Sequence, residues 1–259
     1  MSVTTSIIDE TLLVTIDRPP VNALDLETVT AFEAAFTEAE RKTPGKGVVI
    51  SGSGEVFSAG VDVRAFGGYG RDRRHEMVRA ITRTVARLLA IPVPVVAAVN
   101  GHALGGGFVL VLACDYRIAT DAETARLGMT EAKAGIPFPA GPLEVIRHEL
   151  APELLRRLTL SSAVLGTREL LEARVIDELC AEGGQAARDR GRKQPRATAG
   201  IRYGEAANSW WGCGARGRAC SQRPGCIPRC LRLIAAPRVT FPAHRDCKAF
   251  GKESLKVPR

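Results

Sequence analysis

The sequence predicts an α/β fold over most of its 259 residues. Short apolar runs with strand character alternate with longer segments of helical periodicity between residues 11 and 173. Two of the apolar runs lead straight into glycine-rich stretches, and prolines close several of the others. That grammar stops after residue 182, where the composition changes.

"TLLVTIDRP" (11–19) alternates apolar and polar residues and ends at Pro19–Pro20, which reads as a strand followed by a turn. "LETVTAFEAAFTEAERK" (26–42) places Leu26, Val29, Phe32 and Phe36 at helical spacing, with Asp25 as its N-cap and Pro44–Gly45 as its stop. "KGVVIS" (46–51) reads as a short buried strand, and the glycine-rich "GSGEVFSAGVD" reads as a loop. Residues 71–90 form a basic amphipathic helix stopped by Pro92 and Pro94. "VVAAV" (95–99) is a second buried strand, turning through Asn100–Gly101 into a helix that opens on Gly105, Gly106 and Gly107. "DYRIAT" (115–120) is extended, and helices cover 142–150, 152–160 and 167–173.

Charge divides the chain. Residues 1–182 carry 19 Lys and Arg against 24 Asp and Glu, a net of −5, whereas residues 183–259 carry 17 against 4, a net of +13. The second part is rich in Arg, Gly, Pro and Cys and has neither helical nor strand periodicity, as in segments unable to bury a core. The first residues, "MSVTTSIIDE", lack the basic and apolar regions of a signal peptide, and no apolar run is long enough to span a membrane. A cytoplasmic location without membrane association is the expectation.

"VVAAVNGHALGGGFVLVLACD" is the stretch most informative about chemistry. Each glycine inside a helix costs about 1 kcal/mol relative to alanine, so three at the start of an apolar helix need a reason. Helix N-termini present unpaired N–H groups, and bare α-carbons let a ligand approach them. Tight strand–helix packing is the plainer explanation. A second backbone-exposing loop, "EVFSAGVDVRAF", favours the ligand reading, because two loops can aim two amides at one oxygen.

The motifs "IDRPPVNALD", "FSAGVDV", "AVNGHALGGGF", "CDYRIAT" and "LGMTEAKAGIPF", in this order and spacing, resemble the crotonase (enoyl-CoA hydratase/isomerase) superfamily over roughly residues 5–180. The resemblance implies a spiral of ββα units, an acyl-CoA thioester substrate, and assembly as a homotrimer or hexamer. It implies an enolate held between two backbone N–H groups, which by motif are those of Val61 and Gly106. Ala23, Leu24, Ala59, Gly60, Asp62, Val63, Arg64, Gly105, Gly107, Val109 and Thr130 would line the substrate site. Hydratases of the superfamily use two glutamates. The position of the first is Val109 here, and valine can neither orient water nor take a proton. The second falls on Glu131, a competent base near neutral pH if burial raises its pKa; the bland alternative is a surface glutamate opening a helix. The stretch from Asp115 to Glu131 is similar to that of Δ3,Δ2-enoyl-CoA isomerases, which work with one glutamate. Pro139, where dienoyl-CoA isomerases need an acid, argues against those. No cofactor is expected, coenzyme A being part of the substrate.

The enzymatic rival is an enoyl-CoA hydratase, and the non-enzymatic rival is an acyl-CoA-binding homologue without catalysis. His102 reads as a wall residue, and His75, His148 and His244 have no partner at ligand spacing. Cys213, Cys220, Cys226 and Cys230 lack paired C-x₂-C spacing, so no metal site is expected. Arg71, Arg73, Arg74 and Arg79 read as a solvated helix face, with contact to CoA phosphates as the alternative. Residues 1–182 are thus expected to be a crotonase-like acyl-CoA-binding core, and residues 183–259 a poorly ordered or non-native tail. A GC-rich gene read out of frame would give that tail's 13 Arg against 4 Lys, five Cys and paired Trp. Nucleic-acid binding by a basic arm is the disfavoured alternative.

Overall fold

A computed structural model of the chain describes residues 2–8, 10–42 and 47–180. The proposed helix stop at Pro44–Gly45, His244, the five late cysteines and the whole tail from 183 lie outside the described residues.

Two sheets form the framework. The larger has six strands in the order β1 (Val3–Ile8), β2 (Thr11–Ile16), β3 (Val48–Gly52), β5 (Val95–Val99), β7 (Tyr116–Thr120) and β10 (Glu178–Cys180). Its first pair is antiparallel and every other pair is parallel. The smaller sheet joins β4 (Val56–Ser58), β6 (His102–Leu104), β8 (Leu127–Gly128) and β9 (Val164–Leu165). Successive strands fall alternately into the two sheets: β3 then β4, β5 then β6, β7 then β8. A helix follows each pair, namely α2 (Val63–Gly68) with α3 (Arg71–Ala90), α4 (Gly106–Leu112), and α5 (Glu131–Ala134). This is the spiral of ββα units that the resemblance implied.

Burial explains the sequence pattern. Every residue of β3 and β5 is buried, which is why "VVIS" and "VVAAV" are unbroken apolar runs. Val48, Ile50, Val95, Ala97 and Val99 face the main core, while Val49, Val96 and Ala98 join Ile118 and Cys180 in a cluster on the other face. The helix α1 (Leu26–Lys42) buries Val29, Phe32 and Phe36 along one stripe, and α3 buries Met77, Ala80, Thr84 and Leu88. Asp25 caps α1 as expected, its Oδ1 accepting the Thr28 N–H at 2.8 Å.

Several expectations need correction. The loop after β3 contains β4, and Asn100–Gly101 leads into β6 before the glycine helix begins. Strands of two or three residues are too short to show alternation, and distant neighbours specify them. The helix expected over 142–150 is α6 (Ala140–Glu149), and α7 (Pro152–Ser161) and α8 (Thr167–Glu172) complete the helices among the described residues.

Candidate active site

The glycine helix α4 meets the loop after β4 at one point. Gly60 takes φ +82°, and a β-carbon there would stand 3.0 Å from the Gly106 nitrogen. The same point would lie 2.5 Å from the Leu104 carbonyl oxygen, so only glycine allows this approach. Val61 forms an isolated parallel bridge with Leu24. In that bridge Leu24 N–H donates to Gly60 O at 2.8 Å and Asp62 N–H to Leu24 O at 2.9 Å. Pairing through these flanking groups turns the Val61 N–H away from Leu24. Gly106 is the first residue of α4, where an N–H has no partner within the helix. The Val61 nitrogen is 3.8 Å from the position a Gly106 β-carbon would take. Two backbone donors therefore stand side by side.

Beside them is Glu131, the first residue of α5 and only 8% exposed. Its Oε2 is fully buried and has no hydrogen-bond partner among the described residues. Burial pushes the carboxyl above the ordinary glutamate range, and the backbone N–H groups of Glu131 and Thr130 only partly offset that. This excludes the surface-glutamate alternative.

Glu131, Val61, Gly106, Leu24 and Val109 all line one open cavity. Among the described residues, Glu131 is the only ionisable one in the lining. Val109, 2% exposed, borders the cavity with a hydrocarbon side chain. Phe32 of α1, Phe66 of α2, Ile81 and Val85 of α3, and Phe138 ahead of α6 add apolar walls that the sequence pattern did not single out. Helical spacing put Phe32 on an apolar stripe but could not say that it bordered a void.

The remaining expected site residues are placed differently. Gly105, at φ +50°, frames the base, with its β-position 3.1 Å from Glu131 Oε1 and 3.2 Å from Thr130 Oγ1. Thr130 occupies the N-cap position of α5 and is outside the cavity lining. Gly107 serves packing, because a β-carbon there would be 2.6 Å from Ser58 O. Ala23 and Ala59 also lie outside the lining. Ala23 O accepts from Arg18 Nη1 at 3.2 Å, and Ala59 N–H donates to Val21 O at 2.9 Å. Asp62 caps α2 through Ala65 N–H and pairs with Arg18; the cap foremost, then Arg18, holds its carboxyl below the ordinary aspartate range. Val63 and Arg64 are exposed and do not line the cavity.

His102 is not a wall residue. It lies outside the lining, and its Nδ1 accepts the Arg126 N–H at 3.2 Å across β6 and β8. The arginine face of α3 is exposed but not merely solvated: Arg73 stacks 4.7 Å over the Tyr69 ring, and Arg74 donates to Gly67 O at 2.8 Å. Two asparagines to which the sequence reading gave no site role hold the loop that leads to Val61. Asn22 Nδ2 donates to Ser53 O and Val56 O at 3.0 and 2.7 Å, and Asn100 Nδ2 donates to Gly54 O at 2.8 Å.

A spiral of ββα units, with two adjacent backbone amides beside a buried carboxyl, is the architecture of the crotonase class. A family model described as enoyl-CoA hydratase/isomerase matches residues 8–193, and the chain belongs to that family. It is 43% identical over 131 residues to YngF of Bacillus subtilis, which bears the name enoyl-CoA hydratase/isomerase; the match covers 50% of each chain. It is 31% identical over 167 residues to EchA17 of Mycobacterium tuberculosis H37Rv, named as an enoyl-CoA hydratase, covering 64% of this chain and 63% of that one. The chain thus spans half to under two thirds of these relatives. Among solved structures, EchA3 of Mycobacterium tuberculosis, named as an enoyl-CoA hydratase, superposes with a TM-score of 0.72 at 26% identity. That match covers 83% of this chain and 89% of the other. A second structure of the same mycobacterial protein is named as an enoyl-CoA isomerase, with a TM-score of 0.71 at 26% identity over 83% of this chain and 91% of the other.

Proposed function

We propose that this chain is a Δ3,Δ2-enoyl-CoA isomerase. The observation that carries the reading is a single buried carboxyl, Glu131, bordering a cavity with no other ionisable side chain among the described residues and with Val109 where a second acid would serve hydration. The Glu131 carboxylate takes the proton from C2 of a 3-enoyl thioester. The C–H electrons move toward the thioester carbonyl, whose oxygen rests as an enolate on the N–H groups of Val61 and Gly106. The carboxyl then returns the same proton to C4, leaving the double bond between C2 and C3. One base suffices because nothing is added to the substrate. Two amide donors are worth having, since removing one donor from a comparable oxyanion site typically costs 10²–10³ in rate.

Hydration of 2-enoyl-CoA is the second reading, favoured by the hydratase name of EchA17 and by one of the two names given to EchA3. Parallel assays on 3-enoyl-CoA and 2-enoyl-CoA decide between them. Isomerisation faster than hydration is expected, and fast hydration without isomerisation would overturn the proposal. Acyl-CoA binding with no solvent deuterium exchange at C2 would instead identify a non-catalytic homologue.

A further inference from the structure

Arg18 touches no part of the cavity, yet it ties together the two segments that carry the Val61 amide. We propose that Arg18 is a positioning residue, fixing the Val61 N–H by locking the N-caps of α1 and α2 to each other. The inference rests on the reading above, in which that N–H holds an enolate oxygen.

Arg18 Nη2 stands 2.9 Å from Asp62 Oδ2 and 3.2 Å from Asp25 Oδ2, and Nη1 donates to Ala23 O at 3.2 Å. Each carboxylate uses its other oxygen as a helix cap. Asp25 Oδ1 accepts from Thr28 N–H and Oγ1 at 2.8 and 2.6 Å, and Asp62 Oδ1 accepts from Ala65 N–H at 3.0 Å. The guanidinium fork thereby joins the start of α1 to the start of α2. Between the two caps lies the Leu24–Val61 bridge, with one hydrogen bond on either side of Val61. The main chain is tied as well, since Arg18 N–H donates to Asn22 Oδ1 at 3.0 Å and Asn22 N–H to Arg18 O at 2.8 Å. Without the fork, the two like charges of Asp25 and Asp62 face each other across this bridge. Relaxation of that repulsion swings the loop that aims the amide. An ammonium lacks the planar, multi-donor geometry needed to hold two carboxylates and a carbonyl at once.

The test reads the amide directly. In a Glu131→Gln background, which stops turnover, the infrared carbonyl stretch of bound 3-enoyl-CoA labelled with ¹³C at C1 reports hydrogen bonding at the thioester oxygen. A shift to lower frequency relative to free ligand is expected, and adding Arg18→Gln removes much of it. In the active protein Arg18→Gln lowers kcat about 10- to 100-fold, the scale of a misplaced group, with KM within about threefold. Arg18→Lys restores part of both. Asp62→Asn, which can still cap α2, reproduces the loss should Arg18→Gln fold poorly. Arg83→Gln, which removes the ion pairs to Glu33 and Glu76, leaves kcat unchanged. The proposal is overturned if Arg18→Gln and Asp62→Asn lower the melting temperature while keeping the full shift and kcat. No shift in the Glu131→Gln parent refutes the enolate reading itself, and the role of Arg18 with it.

Discussion

A β-carbon on Gly105 would stand 3.1 Å from Oε1 of Glu131, in a backbone conformation of φ +50° and ψ −123° that L-residues seldom adopt. The bare α-carbon therefore leaves room for the base. Gly105→Ala is expected to cost about 1–3 kcal/mol of stability through backbone strain and to lower kcat by about tenfold or more by displacing the carboxylate. Thermal melts and steady-state kinetics measure the two effects separately, and an unchanged kcat would show that Glu131 needs no such space.

Glu131→Gln should lower isomerisation by about 10²–10⁴, the usual contribution of a positioned base. Its effect on stability has the opposite sign. Burial raises the Glu131 pKa above its unfolded value, so its favourable contribution is fully present below the unfolded value and is lost as pH rises through the folded one. At neutral and alkaline pH the ionised group is a burden that glutamine lacks. The variant should melt at or above the parent there, with the difference shrinking under acid conditions. In the parent protein, the acidic limb of kcat/KM should fall at a pH above the ordinary glutamate range.

Val109 and Gly106 lie one turn apart on α4 and both border the cavity. Val109→Glu should bring measurable hydration of 2-enoyl-CoA, together with a lower melting temperature from the second buried carboxylate. Retained folding and ligand binding without any hydration would mean that cavity shape, not the missing acid, limits that reaction.

Arg117 is buried and donates to the carbonyls of Val111, Leu112, Cys114 and Val175 while pairing with Glu149. It thereby closes the C-terminal end of α4. Arg117→Ala should cost about 3–5 kcal/mol, the scale for breaking a buried ion pair from one side. Arg117→Lys should recover only part, having three donors instead of five. Urea unfolding at constant slope checks both; a loss under about 1 kcal/mol for the alanine variant would refute the role.

For residues 183–259 we propose a product of out-of-frame reading. One of the other two frames downstream of Cys180 should then encode amphipathic helices with ordinary charge balance. If neither does, the +13 segment is native, and steep salt dependence of nucleic-acid affinity would identify it as a binding arm.

The longer elements were legible because their information is local. The helical stripes of α1 and α3 and the apolar runs of β3 and β5 each span enough residues to declare a period and a face. Val61, Gly106 and Glu131 were singled out through the glycine runs and ordered motifs, and the structure brings all three to one cavity. His102 was misread because its partner is the backbone of Arg126, 24 residues away. Gly107 looked like its neighbours in sequence, and only the approach of Ser58 separates its packing role from theirs.

By itself, then, the sequence determined the α/β class and the glycine turns, both properties of consecutive residues. Tertiary structure alone decided that β4, β6 and β8 exist, that Glu131 is buried with a free oxygen, and that Arg18 reaches Asp62, 44 residues away. The physical reason is that desolvation and ion pairing depend on which atoms exclude water from a group. Those atoms come from strands and helices far apart in the chain, brought together only when the two sheets close on each other.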